Sequence, residues 1–583
     1  MALRAEVLFE ITSSFADCPV CLGATAAQQD ASLLAALLIC VGMTLVMRQY
    51  WLQLPFLLLG MALIFVYAID IAATKTLTQR LFLFDAVKFG KELGAIVQFS
   101  GIFLATTAGK IALAVAVGGV VMLALALLPR PHRPRLAISC FIAAAALALF
   151  GSWRPATMNY IHYELLQNVI VANLAFGADT PYSKPFAEKI ERDYVPLSRE
   201  CAPGQSLHPN IIVLEVESLS THVSQLFGGF RDLMPRLDAI ARSNAYIPDF
   251  IANGFTTDAG LIAIVTGKAP IPMVGRYQST QAFAGYTDPH GALPEIVHAA
   301  GYTAHFFTTG GLGFLDEGKW LDGLGFDSYE GAEQPFYNGW KRRHFGAAED
   351  KALYLRFLQW LNQRPADSHW FVLLSTLSTH PPFFDPASET PGEEGAFRYA
   401  DAQIGMFYEE LQKRGFFQNG VLLITGDHRS MTPLFAQEHA RFGDSALART
   451  PLVLATGLPI ARGAIDGRFA QTDIPSSIAD LIDAQACRTA AQGAFLRAHP
   501  QPAQYVLHVR GDRRNEVNVY FGEQRATILL DGDATRWEGP RPQNWQQIMN
   551  DVLIGRIRHG SVDENLIDEM VKLRSPSKPD SKQ

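Results

Sequence analysis

A few short stretches, far apart in a chain of 583 residues, carry side chains able to act together. Glu217 closes the apolar run "NIIVLEVES". Thr256, Thr257 and Asp258 stand just ahead of the apolar part of "NGFTTDAGLIAIVTG". His380 follows "LLSTLST", and Asp427 and His428 follow "VLLITG". Each has an ordinary explanation. Thr and Asp are good helix N-caps, a carboxylate after a strand often caps a helix, and a single histidine is most often structural. Their joint occurrence favours chemistry. Carboxylate oxygens with an imidazole suit a divalent ion such as manganese or zinc. Such an ion lowers the pKa of a nearby hydroxyl and neutralises charge on a phosphoryl or sulfuryl group. A helix N-terminus favours anions, and a hydroxyl there can be a nucleophile. Glu215 lies two residues before Glu217 and shares its strand face, but deeper.

These residues need elements that bring them together. The run at 210–218 reads as a buried strand, and "DLMPRLDAIARSNA" as a helix. "LPEIVHAAGYTAHFFTTG" reads as helix, glycine turn and strand. Residues 350–364 read as a helix, 369–383 as a strand and loop, and 399–430 as helix, turn, strand and loop. Strands alternating with helices predict an α/β domain with a mostly parallel sheet covered on both faces. In such sheets the chemistry collects beyond the carboxyl ends of the strands, where these residues fall. From near residue 498, "AQYVLHVRGDRRNEVNVYFGEQRATILLDGD" alternates like a small sheet. The polar tail "KLRSPSKPDSKQ" reads as disordered.

Hydrophobic residues make up 49% of the chain and crowd into roughly the first 155 positions. Four runs there are candidate transmembrane helices: 31–47, 52–73, 111–129 and 136–153. A weak fifth falls near 5–25. The charged stretch 79–104 suits the membrane surface. The basic loop "PRPHRPR" (129–135) belongs in the cytoplasm by the positive-inside rule, which puts everything after the fourth span outside. The domains expected are a tail at 1–30, the membrane helices at 31–155, a linker at 156–207, a catalytic domain at 208–497, and a small sheet with its tail at 498–583. The net charge of -7 argues against a nucleic-acid partner. No zinc-finger spacing or P-loop is present. Cys18 and Cys21 form a lone CxxC, a weak metal or redox signal. Cys40 and Cys140 lie in apolar runs. Cys201 and Cys487 are the two in the polar part, and outside the cytoplasm they are expected to pair.

Taken in order, "NIIVLEVES", "NGFTTDAG", "STHPPF", "YADAQIG" and "LLITGDHRS" resemble the alkaline phosphatase superfamily. Within it they look most like the lipoteichoic acid synthase and phosphoglycerol transferase group, a sulfatase-type fold behind several membrane helices. The resemblance implies that Glu217, Thr256, Asp427 and His428 hold one divalent ion, manganese first, with zinc or magnesium in its stead. It implies that Thr256 is the nucleophile and that His380 contacts the substrate phosphate; Arg429, beside the Asp-His pair, joins it as a substrate residue. The partners implied are a membrane lipid donor and an envelope glycan or lipid acceptor, at a bacterial inner membrane with the catalytic domain outside. The chain departs from the group in "FFTTGGLGFLDEG" (306–318), with Thr308 at the place of a substrate-binding histidine. Gly426 and Arg429 replace the usual Ser and Gly around Asp-His. The C/S-x-P-x-R motif of true sulfatases is absent.

Overall fold

The computed structural model describes residues 19–77, 132–152, 168–175, 182–272, 282–283, 285–365, 367–432, 434–483, 485–510 and 515–558, with isolated positions at 110, 114, 117 and 118. The chain divides into two compact units: residues 1–178 with 431–446, and residues 179–430 with 447–583. In the first, among the described residues, three helices are long and apolar enough to cross a membrane: Ala26–Val46, Tyr50–Ile71 and Pro134–Ser152. They correspond to the first, second and fourth runs read from sequence. The run at 111–129, the charged stretch at 79–104, most of 5–25 and the polar C-terminal tail lie outside the described residues, save isolated positions. Some of the polar groups among these helices are matched to one another. The Tyr67 hydroxyl donates to Asp30, and Asn168 Nδ2 donates to Ser32 Oγ at 2.6 Å.

The second unit is built on an eight-stranded sheet. Its strands, in chain order, are β1 (Asn210–Val216), β2 (Ala245–Ile247), β3 (Thr303–Thr308), β4 (Ser328–Glu330), β5 (Trp370–Ser375), β6 (Gly420–Gly426), β7 (Leu452–Thr456) and β8 (Gly463–Ala464). The spatial order is β8-β2-β7-β6-β1-β5-β3-β4. β7 runs antiparallel to both its neighbours, and every other pairing is parallel. β1, β5 and β6 are mostly apolar and buried nearly throughout, because helices cover both faces of the sheet. Ile211 and Val213 point into one core with Phe371, Leu373, Val421 and Leu423. Ile212 and Leu214 point into the other with Val372, Leu374, Leu422 and Ile424.

The C-terminal sheet expected from alternation is present as four antiparallel strands: β9 (Val506–Val509), β10 (Glu516–Phe521), β11 (Gln524–Leu529) and β12 (Arg536–Glu538). Cys201 and Cys487 form a disulfide. They stand directly opposite each other in a two-stranded antiparallel pair, Glu200–Pro203 with Gln485–Arg488, with Cα atoms 4.0 Å apart.

Candidate active site

Register sets the site. β1 and β6 are adjacent, parallel and level, with Val216 paired to Gly426 at their last rung. The next residue on each strand is therefore Glu217 and Asp427, held about 4.8 Å apart by strand spacing. Both chains then turn sharply. Ser218 has φ 58°, and its N–H donates to Asp427 Oδ1 at 2.7 Å. Gly426 is needed because a Cβ there would lie 2.4 Å from Leu219 O. His428 follows Asp427, and its N–H also donates to Asp427 Oδ1, at 2.8 Å.

With Oδ1 engaged twice, Asp427 Oδ2 faces His428 Nε2 at 3.1 Å. Glu217 Oε1 lies 3.5 Å from the same nitrogen. One ligand atom from each of the three residues falls within 4.8 Å of the others, and all three side chains are buried. His428 Nδ1 donates to Arg429 O at 2.8 Å, which turns Nε2 toward the carboxylates. Asp427 Oδ2 and His428 Nε2 make no conventional hydrogen bond. Two buried carboxylates and an imidazole nitrogen converging on one point are the donor set of a divalent cation, and the residues fit one. Burial opposes a charge on His428, but Asp427 and Glu217 raise its pKa well above the ordinary value. Burial likewise opposes ionisation of Glu217, yet His380 and His428 hold it down to about 2. Glu215, deeper on β1 and fully buried, is pushed well up by burial and by Asp427.

The helix Thr257–Thr266 brings the hydroxyls. Its apolar run is buried on all sides, and Gly267 ends it in the left-handed conformation. Gly260 lets it reach the site, since a Cβ there would lie 2.2 Å from Asp427 O. Thr256 is the extended N-cap residue, yet its side chain makes no capping bond. Thr257 is the first residue of the helix and lies beside the carboxylates. Its hydroxyl donates to Glu217 Oε2 at 3.1 Å.

His380 arrives on the loop after β5. Thr376 Oγ1 accepts the Glu217 N–H at 3.1 Å, and Thr379 Oγ1 donates to Glu217 O at 2.5 Å, so this loop is stitched to Glu217. His380 is half-buried, and its Nδ1 donates to Pro381 O at 2.5 Å. Arg429 is fully buried and donates from Nη1 to Ser430 O at 2.6 Å. Thr308, at the end of β3, accepts from Gly310 N at 3.2 Å.

Two contributors escaped the sequence reading. His344 lies against His380, their ring centroids 5.5 Å apart. Gln471, fully buried, braces the site from behind. Its Oε1 accepts the Asn253 N–H at 3.0 Å, and its Nε2 donates to Gly426 O at 2.8 Å and Asp427 O at 2.5 Å. Asn253 Nδ2 donates onward to Leu507 O in β9 at 2.8 Å, tying the C-terminal sheet to the threonine loop. A lone His and a lone Gln carry no local signal; only their packing shows what they touch.

Residues 209–484 match the sulfatase family. Lipoteichoic acid synthase 2 of Bacillus subtilis (strain 168) is 21% identical over 330 residues, 51% of this chain and 48% of that protein. Phosphoglycerol transferase I of Xanthomonas euvesicatoria pv. vesicatoria (strain 85-10) is 23% identical over 356 residues, 57% of this chain and 49% of that protein. The chain thus spans about half the length of these curated relatives. Among solved structures, an alkaline phosphatase superfamily protein from Vibrio parahaemolyticus is 17% identical, with TM-score 0.48, covering 66% of this chain and 97% of its own. The lipoteichoic acid synthase LtaP from Listeria monocytogenes is 17% identical, with TM-score 0.46, covering 66% and 98%. By the family match and by the mostly parallel sheet whose strand ends carry the site, residues 209–484 form a sulfatase-like domain.

Proposed function

We propose that this chain is a membrane-anchored, metal-dependent transferase. It moves a phosphodiester-linked headgroup, phosphoglycerol-like, from a lipid donor to an envelope glycan or lipid acceptor through a phospho-threonine. The observation that carries the reading is the buried convergence of Glu217, Asp427 and His428 at the ends of adjacent parallel strands, beside a helix that starts with threonines. Names of relatives support the headgroup class: one is a lipoteichoic acid synthase and another a phosphoglycerol transferase.

In this reading Glu217, Asp427, His428 and Thr256 hold the divalent ion, manganese first. When bound, the ion supplies charge neutralisation and a lowered hydroxyl pKa. The Thr256 oxygen forms a bond to phosphorus as the bond from phosphorus to the lipid oxygen breaks. The proton lost by Thr256 ends on the departing diacylglycerol alcohol. An acceptor hydroxyl then displaces Thr256, which regains a proton. His380 and Arg429 serve the phosphate. Three apolar helices support anchoring, and the Cys201–Cys487 disulfide supports a periplasmic or other oxidising location for this domain.

A second reading assigns the nucleophile to Thr257. It is favoured by the bond from its hydroxyl to Glu217. Phosphoethanolamine transfer, hydrolysis with water as acceptor, and a catalytically silent binding protein compete with phosphoglycerol transfer for the same site. The test is incubation of the full-length protein, in manganese buffer, with vesicles of headgroup-labelled phosphatidylglycerol or phosphatidylethanolamine. Mass spectrometry then maps the adduct. Labelled phosphate on Thr256 supports the proposal, and its appearance on Thr257 supports the second reading. No adduct and no released diacylglycerol with either lipid would leave the binding-protein reading standing.

A further inference from the structure

We propose that His344 is a positioning residue: it sets the loop that carries His380 and so controls how firmly the site grips a phosphodiester. This rests on the reading of His380 as a phosphate contact.

The segment around His344 is tightly built. Arg343 N donates to Ala347 O at 2.8 Å, and Ala347 N to His344 O at 2.9 Å. Phe345 sits at φ 54° between them, a conformation a bulky residue adopts only when its surroundings impose it. Those surroundings are two neighbouring loops. Phe345 O accepts from Gly311 N at 3.2 Å, and Thr309 Oγ1 donates to Ala348 O at 2.8 Å, so the segment is fastened to the chain leaving β3. On its other side the Phe345 ring meets the His380 ring edge-on, centroids 5.0 Å apart.

His344 is 5% exposed. Its Nε2 lies 3.2 Å from Pro382 O. A carbonyl can only accept, so Nε2 carries the proton in this contact. Pro382 is two residues beyond His380, and His380 itself bonds Pro381 O. The loop is therefore held at two successive carbonyls, once by His380 and once by His344. The Glu217 side of the same loop is fixed by Thr376 and Thr379. His344 is the clamp at Pro382. Removing its donor leaves Pro382 O without that bond and frees the His380 ring to shift. A displacement of about 1 Å in a substrate-positioning group is enough to weaken binding by an order of magnitude or more.

The test uses the full-length protein and two readouts. The first is a crystal structure of His344→Phe, which keeps ring volume and removes the donor. We expect His380 to move by about 1 Å or more; an unmoved His380 overturns the proposal regardless of any activity. The second is initial-rate kinetics on headgroup-labelled phosphatidylglycerol and phosphatidylethanolamine vesicles with manganese chloride. His344→Phe should raise KM about tenfold with kcat within about twofold. His344→Gln, whose amide N–H reaches the same carbonyl, should recover most of the loss. In the His380→Ala background, His344→Phe should add nothing, because it acts through the residue already removed. A wild-type KM in His344→Phe, or losses that multiply in the double variant, overturns the proposal. If His344→Phe does not fold, the same structural and kinetic comparison is made between His344→Gln and His344→Asn, whose amide is too short to reach Pro382. The parent reading fails separately. Turnover surviving in Thr256→Ala sinks the Thr256 mechanism without touching His344. A wild-type KM in His380→Ala with a dead Thr256→Ala sinks the His380 phosphate contact and the His344 inference that rests on it, and leaves the Thr256 mechanism standing.

Discussion

Thr256 and Thr257 are adjacent, and the geometry divides them. Side chains one residue apart at a helix start diverge by about 100°, so both hydroxyls cannot meet one ion equally. Thr257 is engaged with Glu217, while Thr256 stands at the N-cap with no hydrogen bond from its hydroxyl among the described residues. Thr256→Ala is therefore expected to abolish turnover while the domain stays folded. Thr257→Ala should keep substantial activity and lose about 1 kcal/mol of stability with its bond to a buried carboxylate. Thermal melts beside turnover assays check both, and the reverse pattern would transfer the nucleophile to Thr257. The same cluster predicts a stability response to metal. Manganese at about a hundred times its Kd should stabilise the protein by about 2.7 kcal/mol, read as a rise in Tm that EDTA removes. His428→Ala should abolish that rise. A wild-type Tm indifferent to manganese, zinc and magnesium alike would argue against an ion at Glu217, Asp427 and His428.

Two elements meet at the site through one glycine, since the helix Thr257–Thr266 presses on the Asp427 loop at Gly260. Gly260→Ala should push helix and loop apart and destabilise by about 1–3 kcal/mol. Turnover should fall further than the melt alone explains, because the hydroxyls leave the strand ends. A second element contact gives a pH dependence. Glu393 begins the helix Glu393–Lys413. It bonds His222 Nε2 at 2.9 Å and Arg231 Nη1 at 2.5 Å. Burial opposes its charge, but His222 and Arg231 hold it down to about 2, against an ordinary 4.5. A folded pKa below the unfolded one means stability present above pH 4.5 and lost as pH falls toward 2, amounting to about 3 kcal/mol. Glu393→Gln should lose that much at pH 7 and flatten the stability profile between those pH values. An unchanged profile in chemical denaturation would show that the contact contributes nothing.

Across the whole second unit, the disulfide joins residues 286 apart in sequence. By loop-closure entropy a bridge of that span constrains the unfolded chain enough to stabilise the fold by about 5 kcal/mol. The Cys201→Ser, Cys487→Ser double variant should melt well below the wild type under oxidising conditions, and reductant should bring the wild type down to meet it. Equal Tm values would mean that the unfolded chain is not constrained by the bridge. The C-terminal sheet lies beyond the family match yet reaches the threonine loop through Leu507 and Asn253. Its strands thus support the site as well as their own small core.

Local pattern was enough for much of this. Mostly apolar runs at 210–216, 370–375 and 420–426 read as strands buried on both faces, and that burial follows from helices on each side of a parallel sheet. Polar residues just past such runs stand at carboxyl ends by chain order alone, which is why Glu217, His380, Asp427 and His428 were legible. Neighbourhood was not. That β6 lies beside β1 with Val216 level with Gly426, and so sets Glu217 against Asp427, is a matter of sheet order and register between segments some 210 residues apart. The meeting of Cys201 with Cys487, the bracing by Gln471 and the contact of His344 with Pro382 are of the same kind. Side-chain type and local periodicity record which face of an element is buried. They do not record which distant segment buries it, and only tertiary packing decides that.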